Sequence, residues 1–243
     1  MTNFALLNID EHQDLRVITD HAAQYGDNVM FAMTFPFEFR SIQANYPIFF
    51  HRDDSGDYYP VALFGFKEGE NLFLDESGWN ANYVPAMIRR EPFLIGYQGS
   101  EDQEKEGKAR VVSIDLDHPR VSHEQGEALF RPLGGRTPYL EEAATLLEQI
   151  YGGYVHNKTF VAALEEHDLI ESVTLDITLN DESKNQLLGF FAIDEEKVEQ
   201  LPGHVLEEFS RQNILMPLFM VLASTVNVRA LIDLRNKRLK DQR

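Results

Sequence analysis

Residues 171–179 alternate in two-residue steps, with Val173, Leu175, Ile177 and Leu179 on one side and Ser172, Thr174, Asp176 and Thr178 on the other. That period fits a strand buried on one face and fits no helix. The polar run 180–185 turns the chain back into the apolar run 186–193, which predicts an antiparallel hairpin. A hairpin is not stable alone, so a chain built on one has to supply further strands and a helical cover for its apolar face.

The first ninety-odd residues supply strands. Their apolar runs are short, rich in Phe, Tyr, Val and Ile, and punctuated by Gly, Pro, Asn and Asp. Residues 29–35 read as a strand and 36–45 as a short helix. Strands 46–51 and 58–66 flank Asp53-Asp54-Ser55-Gly56-Asp57, a hairpin turn. Residues 71–74 add a short strand, and 84–90 a helical turn with Pro85 near its start. Strands 93–97 and 110–116 pair around the polar segment 98–109, which reads as an exposed loop.

Helices dominate the remainder. Thr137-Pro138 opens one that runs to Tyr151 with Ala143, Leu146, Leu147 and Ile150 on one face. Gly152-Gly153 reads as its stop, and a second helix covers 157–166. Asp194 caps a short helix to Glu199, 203–211 is helical, and 215–240 reads as one long terminal helix. The predicted class is α+β: antiparallel hairpins forming a sheet, with helices concentrated in the C-terminal half. Residues 1–243 are read as a single domain with a subregion boundary near 117–137, where Pro119, Pro132 and Gly134-Gly135 cluster.

Composition narrows the chemistry. The chain has no cysteine, which excludes disulfide frameworks, thiolate metal sites and cysteine nucleophiles. Its 22 basic and 40 acidic side chains give a formal charge of -18, which repels phosphate backbones and argues against nucleic acid as a ligand. The charge is uneven: in the last fifteen residues six basic side chains stand against Asp233 and Asp241, a local +4 that complements a helix C-terminus. No uninterrupted apolar run approaches the ~18 residues of a membrane helix. The longest, 214–226, contains Pro217, Ser224 and Thr225, so a membrane-spanning segment is not expected. Residues 1–10 lack the cationic start of a secretory signal, which points to a cytoplasmic setting.

Two clusters carry candidate chemistry. Asp115-Leu116-Asp117-His118 and the nearby His123-Glu124 bring imidazoles and carboxylates close in sequence, making His118, His123 and Glu124 candidate metal ligands. Pro119 breaks any helix between the two histidines, so the spacing matches no zinc-hydrolase motif, and a solvated strand end accounts for the same residues. No cofactor is predicted, and neither a phosphate-binding loop with its lysine nor a Gly-x-Ser-x-Gly elbow is present. Residues 79–93 gather the only Trp with Tyr83, Arg89, Arg90 and Phe93. Arginine beside aromatic rings can clamp a carboxylate and stack a ring, so Trp79, Tyr83, Arg89 and Arg90 are the candidate ligand-binding residues. The competing reading packs Trp79, Tyr83 and Phe93 into the core and spends the arginines on acids such as Glu91.

An ordered series of blocks extends along the chain: Tyr46-Pro47-Ile48-Phe49-Phe50, Pro60-Val61-Ala62-Leu63-Phe64-Gly65, Glu70-Asn71-Leu72-Phe73, Gly78-Trp79, Tyr83-Val84-Pro85-Ala86 and Arg89-Arg90-Glu91-Pro92-Phe93. It continues through Gly126-Glu127-Ala128-Leu129-Phe130, Thr137-Pro138-Tyr139-Leu140, Phe191-Ala192-Ile193-Asp194 and Leu222-Ala223-Ser224. Together these blocks resemble the SapC family over nearly the whole chain. The resemblance implies a bacterial cytoplasmic family that is named for a surface-layer-associated protein and sometimes labelled a peptide-transport component. Its members lie in gene neighbourhoods with flavin-dependent tryptophan halogenases, cupin-type oxygenases and TonB-dependent receptors. His51 and Glu91 depart from the family's commoner apolar or aromatic residues, so neither is carried over as a family site residue.

The first reading is therefore a non-catalytic accessory protein, linked to peptide or amino-acid metabolism, that binds a small ligand, a peptide or a protein partner. The second is a metal-dependent, oxygenase-like enzyme using His118, His123 and a carboxylate from Asp115, Asp117 or Glu124.

Overall fold

A computed structural model describes residues 3–98 and 109–241. The segment expected to form an exposed loop after Gln98 lies outside the described residues. The first strands are β1 (Phe4–Leu6), β2 (Arg16–Val17), β3 (Phe31–Met33), β4 (Ile48–Arg52), β5 (Tyr58–Leu63), β6 (Leu74–Asp75) and β7 (Gly78–Trp79). They are followed by β8 (Phe93–Gln98), β9 (Ala109–Asp115), β10 (Val121–Ser122), β11 (Glu127–Ala128), β12 (Ile170–Thr178) and β13 (Lys184–Ile193). The helices are α1 (Ile9–His12), α2 (Phe39–Ile42), α3 (Ala86–Arg89), α4 (Pro138–Glu166), α5 (Glu195–Glu199), α6 (Gly203–Arg211), α7 (Leu215–Ser224) and α8 (Asn227–Asp241). The class is α+β with antiparallel sheets, and the longer helices fall in the C-terminal half.

The chain divides into two units, residues 1–27 with 86–151, and residues 28–85 with 152–243. The segment 117–137 lies inside the first.

In the first unit β9 is the central strand of a sheet ordered β1-β9-β8, with Phe93 opposite Ile114. A second small sheet sets β2 between β10 and β11. Both feed one core, in which Leu15, Val17, Phe93, Ile114, Leu129 and Leu140 are buried together. The alternation of β9 puts Val112 and Ile114 in this core, as the two-residue period requires.

In the second unit a five-stranded antiparallel sheet runs β12-β13-β4-β5-β3. The predicted hairpins are present with nearly the predicted ends, and Ile177 and Leu179 are buried while Asp176 and Thr178 are exposed. Aromatic rings fill the core: Phe160 meets Phe39 edge-on at 5.8 Å and stacks with Phe50 at 6.2 Å. Ser224, fully buried on α7, accepts the Ile48 N–H at 2.8 Å and so ties the helix to β4.

Two expectations are corrected. Gly152-Gly153 does not stop a helix; α4 continues through both. A β-carbon on Gly153 would lie 2.6 Å from the Phe35 ring, so glycine is there to let an aromatic ring lie against the helix. The terminal helix is broken, because at Thr225, Val228 and Arg229 the N–H groups bond three residues back, and the Asn227 amide donates to the Gln43 and Tyr46 carbonyls at 2.8 and 3.2 Å. Among the described residues the stretch Leu215–Asp241, which contains this break, is long and apolar enough to cross a membrane by length and composition.

Candidate functional site

The four residues singled out for ligand binding fall in different units: Trp79 and Tyr83 in the second, Arg89 and Arg90 in the first. Trp79, on the short β7 strand, donates from Nε1 to the Tyr46 hydroxyl at 2.7 Å, and that hydroxyl donates to the Tyr83 carbonyl. The Tyr83 hydroxyl donates to Glu38 at 2.8 Å, and Thr34 donates to the other Glu38 oxygen at 2.8 Å. Tyr46 is fully buried, and its burial pushes the phenol pKa upward, so it stays a neutral donor. Trp79 and Tyr83 thus hold together a polar string inside an aromatic core, with Phe64 edge-on to Trp79 at 5.3 Å.

In the first unit a cleft of about 220 Å³ collects residues from four separate segments. Thr19 and His21 come from the chain after β2, and Arg89 and Glu91 from the end of α3 and beyond it. Arg120 follows β9, and Tyr139, Glu142, Ala143 and Leu146 form one face of α4 at helical spacing. Arg89 and Glu142 are exposed, whereas Ile88 and Leu146 in the same lining are buried. The cleft therefore has a charged mouth and an apolar floor.

Its back wall is a buried ion pair. Arg120 and Asp27 side chains are each 3% exposed. Arg120 Nη2 donates to both Asp27 oxygens at 2.8 and 2.7 Å, and Nη1 donates to the Ile18 and Asp20 carbonyls at 2.9 and 2.5 Å. His21 Nδ1 lies 3.2 Å from Asp27 Oδ2, which also accepts the Ala22 N–H at 2.9 Å. Burial alone would raise the Asp27 pKa. The His21 hydrogen bond and the Arg120 charge outweigh it and hold the carboxyl below its ordinary range. Arg120 Nε is buried without a hydrogen-bond partner. Burial pushes the Tyr139 hydroxyl up to about 12, so it keeps its proton.

Glu91 joins the candidates that sequence reasoning treated separately. Arg90 Nη2 contacts its Oε1 at 2.8 Å, and His118 Nε2 lies 3.7 Å from its Oε2. His118 Nδ1 accepts the Arg120 N–H at 3.2 Å, which places the ring proton on Nε2, facing Glu91. Burial lowers the His118 pKa by more than Glu91 raises it, so the ring is neutral near pH 7. His123 and Glu124 are exposed on the turn after β10, where the Glu124 N–H bonds Ser122 at 3.1 Å. Among the described residues no group of three or more His, Asp or Glu side chains is placed to hold a metal ion. His21, Asp27, Arg120 and Glu142 were not flagged by the sequence, Tyr139 appeared only within a family block, and no spacing signal joins these residues.

The second unit has a larger, mainly apolar groove of about 810 Å³, lined by Phe37, Phe160, Ile214, Met216, Pro217 and Phe219. Phe37, Met216 and Phe219 are exposed there, and His156, Thr159 and Asn213 add polar groups.

No curated protein and no solved structure matches the chain. A family model described as SapC matches residues 7–231. The match takes in every strand from β2 to β13 and both units, and the chain belongs to the SapC family.

Proposed function

We propose that this chain is a non-catalytic binding protein that holds a small polar ligand, or the end of a peptide, in the cleft of its first unit. The observation that carries the reading is the cleft's composition: an exposed Arg89 and Glu142 at the mouth, a buried Arg120 behind, and Ile88 and Leu146 on the floor. Small-molecule sites combine apolar walls with a few convergent polar groups in this way. Arg89 belonged to the sequence-derived candidates; Trp79 and Tyr83 lie in the other unit, where they hydrogen-bond Tyr46 and Glu38. The family resemblance supports a cytoplasmic role in peptide or amino-acid metabolism.

Thermal denaturation against a panel of amino acids, dipeptides and dicarboxylates tests this. A ligand at one hundred times its Kd stabilises by about 2.7 kcal/mol, which in a chain of this size raises Tm by roughly 5–11 °C. Arg89→Ala should retain the fold and lose the shift. If no panel member raises Tm, or Arg89→Ala responds as strongly as wild type, the cleft is not the site.

A further inference from the structure

The five-stranded sheet of the second unit ends in β12, a strand of nine residues with a neighbour on one side only. At one end of the β12–β13 hairpin the Leu179 N–H donates to the Ser183 carbonyl at 2.9 Å, and at the other the Asp194 N–H donates to the Leu169 carbonyl at 2.8 Å. Antiparallel ladders alternate, so the odd-numbered residues between these points aim their backbone groups at β13. Ile170, Ser172, Thr174, Asp176 and Thr178 therefore aim theirs outward, and among the described residues these groups have no backbone partner. Proteins blunt such edges with Pro, Lys, a bulge or a short strand. β12 contains no Pro, Lys or Arg, and its register shift puts the extra residue on β13, where Leu187 and Phe190 face Leu175 and Val173.

The side chains say what the edge accepts. Leu187 and Phe190 are buried, whereas Val173 and Leu175, beside them on the same face, are only half-buried. One more strand would finish covering them. The sequence of β12 is complementary to itself in the register that pairs it end to end about Thr174. Ile170 then faces Thr178, Ser172 faces Asp176 and Thr174 faces its own copy, and these are the residues whose backbone groups point outward. Val173 falls opposite Leu175 in the closer, non-hydrogen-bonded pairs, apolar on apolar. The charged residues of the strand, Glu171 and Asp176, fall opposite Ile177 and Ser172, so no carboxylate meets a carboxylate. We infer that a second copy of this chain pairs antiparallel along β12 and joins the two five-stranded sheets into one across a two-fold axis at Thr174.

Sedimentation equilibrium of the full chain tests this and is expected to give twice the 27.9 kDa of one copy. Thr174→Pro deletes the N–H that each copy offers at the axis and returns the mass to 27.9 kDa, while circular dichroism shows the fold retained, because proline is tolerated where an edge N–H faces solvent. Thr174→Glu, at an exposed position, sets like charges directly opposite each other and raises the dimer Kd about fivefold. The chain has no cysteine, so Thr174→Cys supplies a unique thiol that diamide links to its copy. Thr178→Cys stays unlinked, because its copies lie roughly 27 Å apart in this register. Each copy carries a charge of -18, so added salt tightens the dimer by screening repulsion. A monomeric mass at every concentration up to about 100 μM overturns the inference. So does a dimer that persists in both Thr174→Pro and Thr174→Glu, one that links through Thr178→Cys as readily as through Thr174→Cys, or one that dissociates in high salt.

Discussion

Asp27→Ala removes the acceptor from a guanidinium that is 3% exposed. Three groups lose the carboxylate at once: Arg120 Nη2, which holds both oxygens at 2.8 and 2.7 Å, the Ala22 N–H at 2.9 Å, and the His21 ring, whose Nδ1 lies 3.2 Å from it. Breaking a buried pair from one side costs about 3–5 kcal/mol, because the surviving charge stays desolvated and unpaired. In a chain of this length each kcal/mol moves Tm by about 2–4 °C, so the variant should melt roughly 8–16 °C below wild type for a loss near 4 kcal/mol. Urea unfolding followed by circular dichroism reads the same loss as a lower midpoint, with the slope checked for separate transitions of the two units. Asp27→Ala/Arg120→Met supplies the control. It removes both charges, and although the Ile18 and Asp20 carbonyls lose their donor and the Ala22 N–H and His21 their carboxylate, no buried charge is left uncompensated, so it should be more stable than Asp27→Ala alone. A loss below about 1 kcal/mol for the single variant, or a double variant less stable than it, would refute the view that this pair is the buried electrostatic centre of the unit.

Two further tests address neighbouring claims. Gly153→Ala should destabilise by about 1–3 kcal/mol through overpacking against Phe35, outweighing its gain in helix propensity. Gly152→Ala, whose added carbon meets nothing within 4 Å, should stabilise by about 0.5–1 kcal/mol, and equal effects at the two positions would refute the packing account of the helix. His118 has a folded pKa below its ordinary 6.5, so its contribution is fully present above that value. It is lost as pH falls, because the unfolded chain takes up the proton first, with a slope of at most about 1.4 kcal/mol per pH unit. Unfolding measured across that window should show a shallower pH dependence in His118→Gln, and an unchanged slope would remove His118 from the acid response.

What the sequence revealed and what it concealed follow from how far apart the cooperating residues lie. The β4–β5 hairpin was legible because its determinants are local. Asp53 accepts the Ser55 and Asp57 N–H groups at 2.9 and 3.0 Å, and Gly56 takes the left-handed φ of +92° that the turn needs. The β12–β13 hairpin was legible for the same reason, since alternation and register are properties of neighbouring residues. Gly152-Gly153 misled because the reason for glycine is Phe35, more than a hundred positions away, and no local rule distinguishes a helix stop from a ring seat.

The candidate site shows the same division more sharply. Residues 79–93 looked like a site because arginines and aromatic rings are dense there, but density along the chain is a property of the sequence and a site is a property of the fold. The structure gives Trp79 and Tyr83 to the core of one unit and Arg89 and Arg90 to the other. The cleft itself draws on segments near residues 18–21, 88–91, 120 and 139–146, and its back wall joins Arg120 to Asp27 across 93 positions. Such a pairing leaves one cation and one acid, each ordinary in its own neighbourhood. Burial distinguishes them from the many exposed charges of an acidic chain, and burial is a property of the folded unit. The same argument explains why the metal reading failed to assemble. His118 turned inward to Glu91 and the Arg120 N–H, while His123 and Glu124, five and six positions on, stayed in solvent on the turn after β10.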